Sequence, residues 1–116
     1  MSISINYGQL LKDVMRLYKV EIASTALVDI DALSDFLVSV MSVNAAWHYV
    51  QAMKQELLSL SVYADFYHPS QYSDIRSYHP RACRMVSHNK KWVYIFHIED
   101  NTVVVDRILP SKMITK

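Results

Sequence analysis

The stretch "KKWVYIFHIEDNTVVVDRILPSKMITK", residues 90–116, decides the fold. Within it, "WVYIFHIE" (92–99) and "TVVVDRIL" (102–109) are dense in β-branched and aromatic residues, and "EDN" separates them at hairpin length. Just upstream, "ACRMVSH" (82–88) has the same character and reaches Trp92 through "HNKK". Three antiparallel strands in a meander are therefore predicted. Gly8 is the only glycine, so turns that need positive φ are expected to use Asn and Asp. One irregularity stands out in the last strand. Val103, Val105 and Arg107 share one face and Val104, Asp106 and Ile108 the other, so neither face stays apolar past residue 105.

A meander exposes one polar face and needs a cover for its apolar one. The first half of the chain supplies that cover. "LYKVEIAS" (17–24) alternates as a half-covered strand does, and Ser24 or Thr25 can then cap a helix, with Asp29 and Asp31 near its positive end. Leu27, Ile30, Leu33, Leu37 and Val40 recur at three- and four-residue steps through about Met41. Ser42 or Asn44 can start a second helix whose stripe is Ala46, Tyr49 or Val50, Met53, Leu57 and Leu60. The predicted order is β-α-α-β-β-β: an α+β fold with a helical hairpin packed on an antiparallel sheet, its first strand at an edge or beside the last strand. "YHPSQYSDIRSYHP" (67–80), with Pro69 and Pro80, is predicted to be a loop.

At 116 residues and slightly over half apolar, the chain can build one sizeable core. The net charge of +1 hides a division, because residues 1–75 carry four Lys/Arg against eight Asp/Glu and residues 76–116 carry eight against three. Cys83 is the sole cysteine, so no intrachain disulfide can form. No apolar run approaches the ~18 residues of a membrane span, and "MSISINYGQLLKD" lacks the pattern of a signal peptide. A cytoplasmic protein without membrane attachment is expected.

Three phrases, "YKVEIASTALVDIDALSDFL", "NAAWHYVQAMKQELLSL" and "WVYIFHIEDNTVVVDRIL", in this order and spacing, resemble the RelE/ParE superfamily of toxins from type II toxin–antitoxin systems. The resemblance runs from about Met15 to Met113, which divides the chain into an N-terminal extension, 1–14, and a toxin domain, 15–116. It implies an antitoxin partner that wraps an amphipathic helix and an extended segment over the toxin. It also implies one of two activities. RelE-like members cut messenger RNA on the ribosome; ParE-like members, of the plasmid-stabilisation type, poison DNA gyrase without hydrolysis.

Cutting RNA through its 2′-hydroxyl requires a proton acceptor, a proton donor and cations at the phosphorus. For the RelE-like branch the resemblance implies an Arg on the middle meander strand and an Arg followed by a Tyr or a His-Tyr pair beyond the last. Those positions fall here at Val93 and Met113. Lys91 lies two residues before the first and Lys112 one before the second, and no Tyr follows Lys112. The departure favours the ParE-like branch. Arg84, Lys91, Arg107 and Lys112 are then the candidate target-binding residues, with 107–116 as the active surface. A solvated strand face is the simpler explanation of each. Were the protein a nuclease, Lys91, His97 and Lys112 would be the catalytic candidates, although a mid-strand histidine is more often a hydrogen-bonded core group. A homologue that binds antitoxin without toxicity is a third reading. His79 and Cys83, four apart, do not make a metal pair outside a helix, and neither metal nor cofactor is expected.

Overall fold

The computed structural model describes residues 17–113. The 1–14 extension lies outside them. Strand β1 (Lys19–Ile22) leads into helix α1 (Ser24–Val40), and a break at Met41 leads into α2 (Val43–Leu58). A single turn, α3 (Leu60–Tyr63), and a 3-10 turn (Ala64–Phe66) follow, then another single turn, α4 (Ser73–Arg76). The meander is β2 (Cys83–Val86), β3 (Trp92–Glu99) and β4 (Thr102–Pro110), closed by a 3-10 turn at Ser111–Met113. The sheet order is β1-β4-β3-β2, with β1 parallel to β4 and the other pairs antiparallel. Both sequence expectations for β1 therefore hold, since it is an edge strand beside the last strand.

The helical hairpin covers one sheet face through the stripes read from the sequence. Ala26, Ile30, Leu33 and Leu37 of α1 and Ala46, Val50, Met53 and Leu57 of α2 are buried against Tyr94, Phe96, Val103, Val105 and Ile108. Burying each large apolar side chain contributes about 1.5–3 kcal/mol. Two residues of the expected α1 stripe, Leu27 and Val40, stay half-exposed. Ser42 caps α2 as expected, its Oγ accepting from the Ala45 N–H at 3.1 Å. The α1 cap is a correction. Ala23 holds the cap position without a side-chain bond, and Thr25 Oγ1 instead donates to the Asp106 carbonyl at 2.7 Å.

Three local features depart from the sequence expectation for physical reasons. The first is a β-bulge. Ile95 faces Arg107 while Phe96 faces Val105, so Asp106 is an extra residue in β4. It shifts the alternation by one, which puts Val105 and Ile108 together in the main core and turns Leu109 to the opposite face with Val93 and Ile95. The conflict of parity past residue 105 is thereby resolved. The second is the supposed loop at 67–80, which covers the other sheet face: Ile75 of α4 and Ala82, both fully buried, pack on Val93, Ile95 and Leu109. The third is turn chemistry. Asp100 takes the left-handed conformation (φ 54°), as expected, but in the other turn Lys90 does so (φ 64°). Asn89 is engaged through its side chain, its Oδ1 accepting from Ser87 Oγ and the Lys91 N–H and its Nδ2 donating to Tyr49 Oη.

Candidate functional site

The β2–β3 turn and the segment after β4 meet at one end of the sheet. Ser111 fastens them, its N–H donating to the Lys91 carbonyl at 2.9 Å and its Oγ to the Lys90 carbonyl at 2.7 Å. Lys90, Lys91 and Lys112 are exposed and share this end. The turn beneath them is held by hydrogen bonds: Ser87 Oγ accepts from the Trp92 N–H, while Trp92 Nε1 and Asn89 Nδ2 both donate to Tyr49 Oη on α2. Glu56 of the same helix accepts from the His88 N–H at 2.7 Å and from Tyr94 Oη at 3.2 Å. Burial first, and then the Glu56 carboxylate, push the Tyr94 phenol far above its ordinary value. A basic surface is thus mounted on an ordered scaffold. This is the arrangement that holds two of the four expected target-binding residues, Lys91 and Lys112, together.

Arg107 belongs elsewhere. Its guanidinium donates to both oxygens of Asp29 on α1, Nε to Oδ2 at 2.8 Å and Nη2 to Oδ1 at 3.1 Å, and lies 5.7 Å from the Tyr78 ring centroid. Asp29 Oδ2 also accepts the Ile108 N–H at 2.8 Å. The hydrogen bonds to Asp29 hold the Arg107 pKa above its usual value. Arg107 is therefore a strut that docks α1 on β4, and its charge is compensated. Arg84 lies half-buried on β2, also opposite Ile95, with its guanidinium 5.8 Å from the Tyr72 ring. Both arginines flank Ile95, at some distance from the three lysines.

The nuclease candidates are not brought together. Lys91 and Lys112 share one end of the sheet, whereas His97 is six residues along β3, about 20 Å away at strand spacing. His97 is buried, and its Nδ1 and Asp106 Oδ2 are 2.6 Å apart. The His79 ring stacks on it with centroids 3.7 Å apart. Cys83 points to the opposite sheet face, among the core residues under the hairpin, so His79 and Cys83 do not form a pair. Burial raises the Cys83 thiol pKa, partly offset by Arg81.

Sequence reasoning missed Asp29 as an organising residue. Asp29 lies three residues after Ala26 and four before Leu33, beside the buried stripe, where a carboxylate must find donors. Asp106 was visible as the polar interruption of an apolar strand.

Apolar surface is left open on the helices. A groove of about 170 Å³ at the β1 edge is lined by Val20, Ile22, Leu27, Leu57 and Leu58. A wider one, about 360 Å³, runs between α1 and α2 past Ile30, Val38, Val43 and Trp47. A third, about 300 Å³, lies beside β4 between Phe36, Pro110 and Met113. Among the described residues, no helix is long and apolar enough to cross a membrane.

A helical hairpin on a four-stranded mixed sheet with a basic C-terminal end is the architecture of the RelE/ParE class of small toxins. Within that class, residues 20–115 match the family described as the ParE toxin of the type II toxin-antitoxin system, parDE, and the chain belongs to this family. Among solved structures it is similar to a chain described as the chromosomal ParDE TA system from P. aeruginosa, at 17% identity and a TM-score of 0.67, over 81% of this chain and 96% of that one. No curated protein matches the chain.

Proposed function

We propose that the protein is a ParE-like toxin that arrests growth by binding DNA gyrase without hydrolysing nucleic acid, and that a cognate antitoxin in the cytoplasm holds it inactive. Membership of the ParE family carries this reading. The separation of Lys91 and Lys112 from His97 supports the non-hydrolytic branch. The target-binding surface is the end of the sheet that displays Lys90, Lys91 and Lys112, while Arg84, opposite Ile95, stands apart from it. Arg107 contributes by holding β4 against α1. The antitoxin covers the apolar grooves of the hairpin, where half-exposed Leu27, Trp47 and Leu58 offer anchors to an amphipathic helix.

Controlled expression in growing cells tests the reading. Growth arrest with double-strand DNA breaks, a damage response and intact messages is the expected result. Arrest with transcripts cut inside codons on ribosomes would instead assign the protein to the RelE-type activity, and the absence of arrest would assign it to antitoxin binding alone.

A further inference from the structure

On the sheet face away from the hairpin, His79, His97 and Glu99 bring three potential ligand atoms within 4.8 Å of one another. We propose that this cluster is a binding site for a borderline divalent cation of the zinc type. His97 carries the argument. Its Nδ1 lies 2.6 Å from Asp106 Oδ2, so Nδ1 holds the proton and donates it to that carboxylate, which leaves the lone pair of the neutral ring on Nε2. This pairing of carboxylate and imidazole orients a histidine ligand and raises its basicity. Asp106 is available for the task because it is the bulged residue of β4.

Nε2 makes no hydrogen bond among the described residues and is not a sealed orphan, since no buried side-chain nitrogen or oxygen there lacks a partner, so it is open to a ligand. The atom nearest it in charge terms is Glu99 Oε1 at 3.6 Å, too far for a hydrogen bond. An imidazole lone pair and a carboxylate facing each other are two acceptors, and positive charge belongs between them. A proton on Nε2 is one way to supply it; a metal ion is the other, and His79 beside them favours the metal. Two imidazoles and a carboxylate suit zinc, cobalt or nickel rather than magnesium or calcium, which prefer oxygen alone.

The ligand set is assembled but not closed. Bonds of about 2.0–2.2 Å place ligand atoms about 3.4 Å apart around a tetrahedral ion. The two rings are now parallel, at 3°, so their in-plane lone pairs run side by side instead of converging. His79 is the ring that turns. It sits half-exposed between α4 and β2, and its one hydrogen bond is acceptance of the Arg81 N–H at Nδ1, 3.0 Å. Glu99, with its side chain 65% exposed, closes from the other side. The bound ion would tie the segment covering the second sheet face to β3.

Untagged full-length protein, stripped of metal with a chelator, tests the proposal by titration with Zn²⁺ and Co²⁺. One ion per chain is expected, with the visible absorption of tetrahedral Co²⁺. His79→Gln and Glu99→Gln, both outside the core, should each weaken binding at least tenfold while circular dichroism is unchanged. Asp106→Asn should weaken it by about 10–100-fold. Affinity unchanged in His79→Gln, or no stoichiometric ion, overturns the site. So do imidazole ¹⁵N shifts showing both nitrogens of His97 protonated and unmoved by Zn²⁺.

Discussion

Asp29 on α1 and Arg107 on β4, 78 positions apart in the chain, meet through two hydrogen bonds, and the same carboxylate accepts the Ile108 N–H. Strand β1 pairs with β4 only as far as Val105, so Asp29 takes over the uncovered edge where the neighbouring strand stops. Thr25 does likewise for the Asp106 carbonyl.

Asp29→Ala should lower stability by about 1–3 kcal/mol, since it leaves a partly buried N–H and a guanidinium without their acceptor. Asp29→Asn, which keeps an acceptor for Ile108, should cost less. Urea denaturation of the two variants measures the difference. Equal losses would mean that charge, not the edge bond, dominates.

Ile75→Ala should cost about 2–5 kcal/mol by leaving a cavity over Val93 and Ile95. Because α4 is one turn long, the covering segment should also become open to proteases. Limited proteolysis between residues 67 and 82, compared with wild type, checks this.

Tyr94 is favoured by the fold in its neutral form, with its pKa above that of an unfolded tyrosine. Its contribution to stability is therefore complete below about pH 10, the ordinary phenol value, and drains away as pH rises from there toward the folded value. Cys83, shifted in the same direction, adds to the loss from about pH 8.5 upward. Thermal unfolding should show stability falling on the alkaline side. Tyr94→Phe should flatten that fall while costing about 1 kcal/mol at neutral pH.

Lys91→Glu combined with Lys112→Glu should abolish growth arrest while changing stability by no more than about 0.5 kcal/mol, because both side chains are solvated. Plating efficiency and the melting temperature read the two effects separately. Undiminished toxicity would move the target-binding surface away from this end of the sheet.

Much of this architecture was legible in the residues. The stripes Ile30–Leu33–Leu37 and Val50–Met53–Leu57 located the hairpin, and the two-residue period of 92–109 located the central strands, because each pattern is the direct imprint of one covered face. The bulge was foreshadowed only as a conflict of parity: alternation says which residues share a face but not where an extra one has been inserted. The second cover escaped notice because Ile75 is a lone apolar residue among polar neighbours, and a single buried side chain has no period. The strut escaped because Asp29 and Arg107 are far apart in sequence. At the candidate site, the basic residues could be counted but not sorted, so Arg107, spent on Asp29, looked the same as solvated Lys91 and Lys112.

The sheet order has a consequence for timing. Of the four strands, β4 is the last to leave the ribosome, yet it lies between the first and third to be made. Until it inserts, β1 has no neighbour, the hairpin has no completed floor and the lysines at 90–91 have no Ser111 to fasten them. A nascent chain of this topology cannot complete its sheet or fasten Lys90 and Lys91 until β4 and Ser111 have been made.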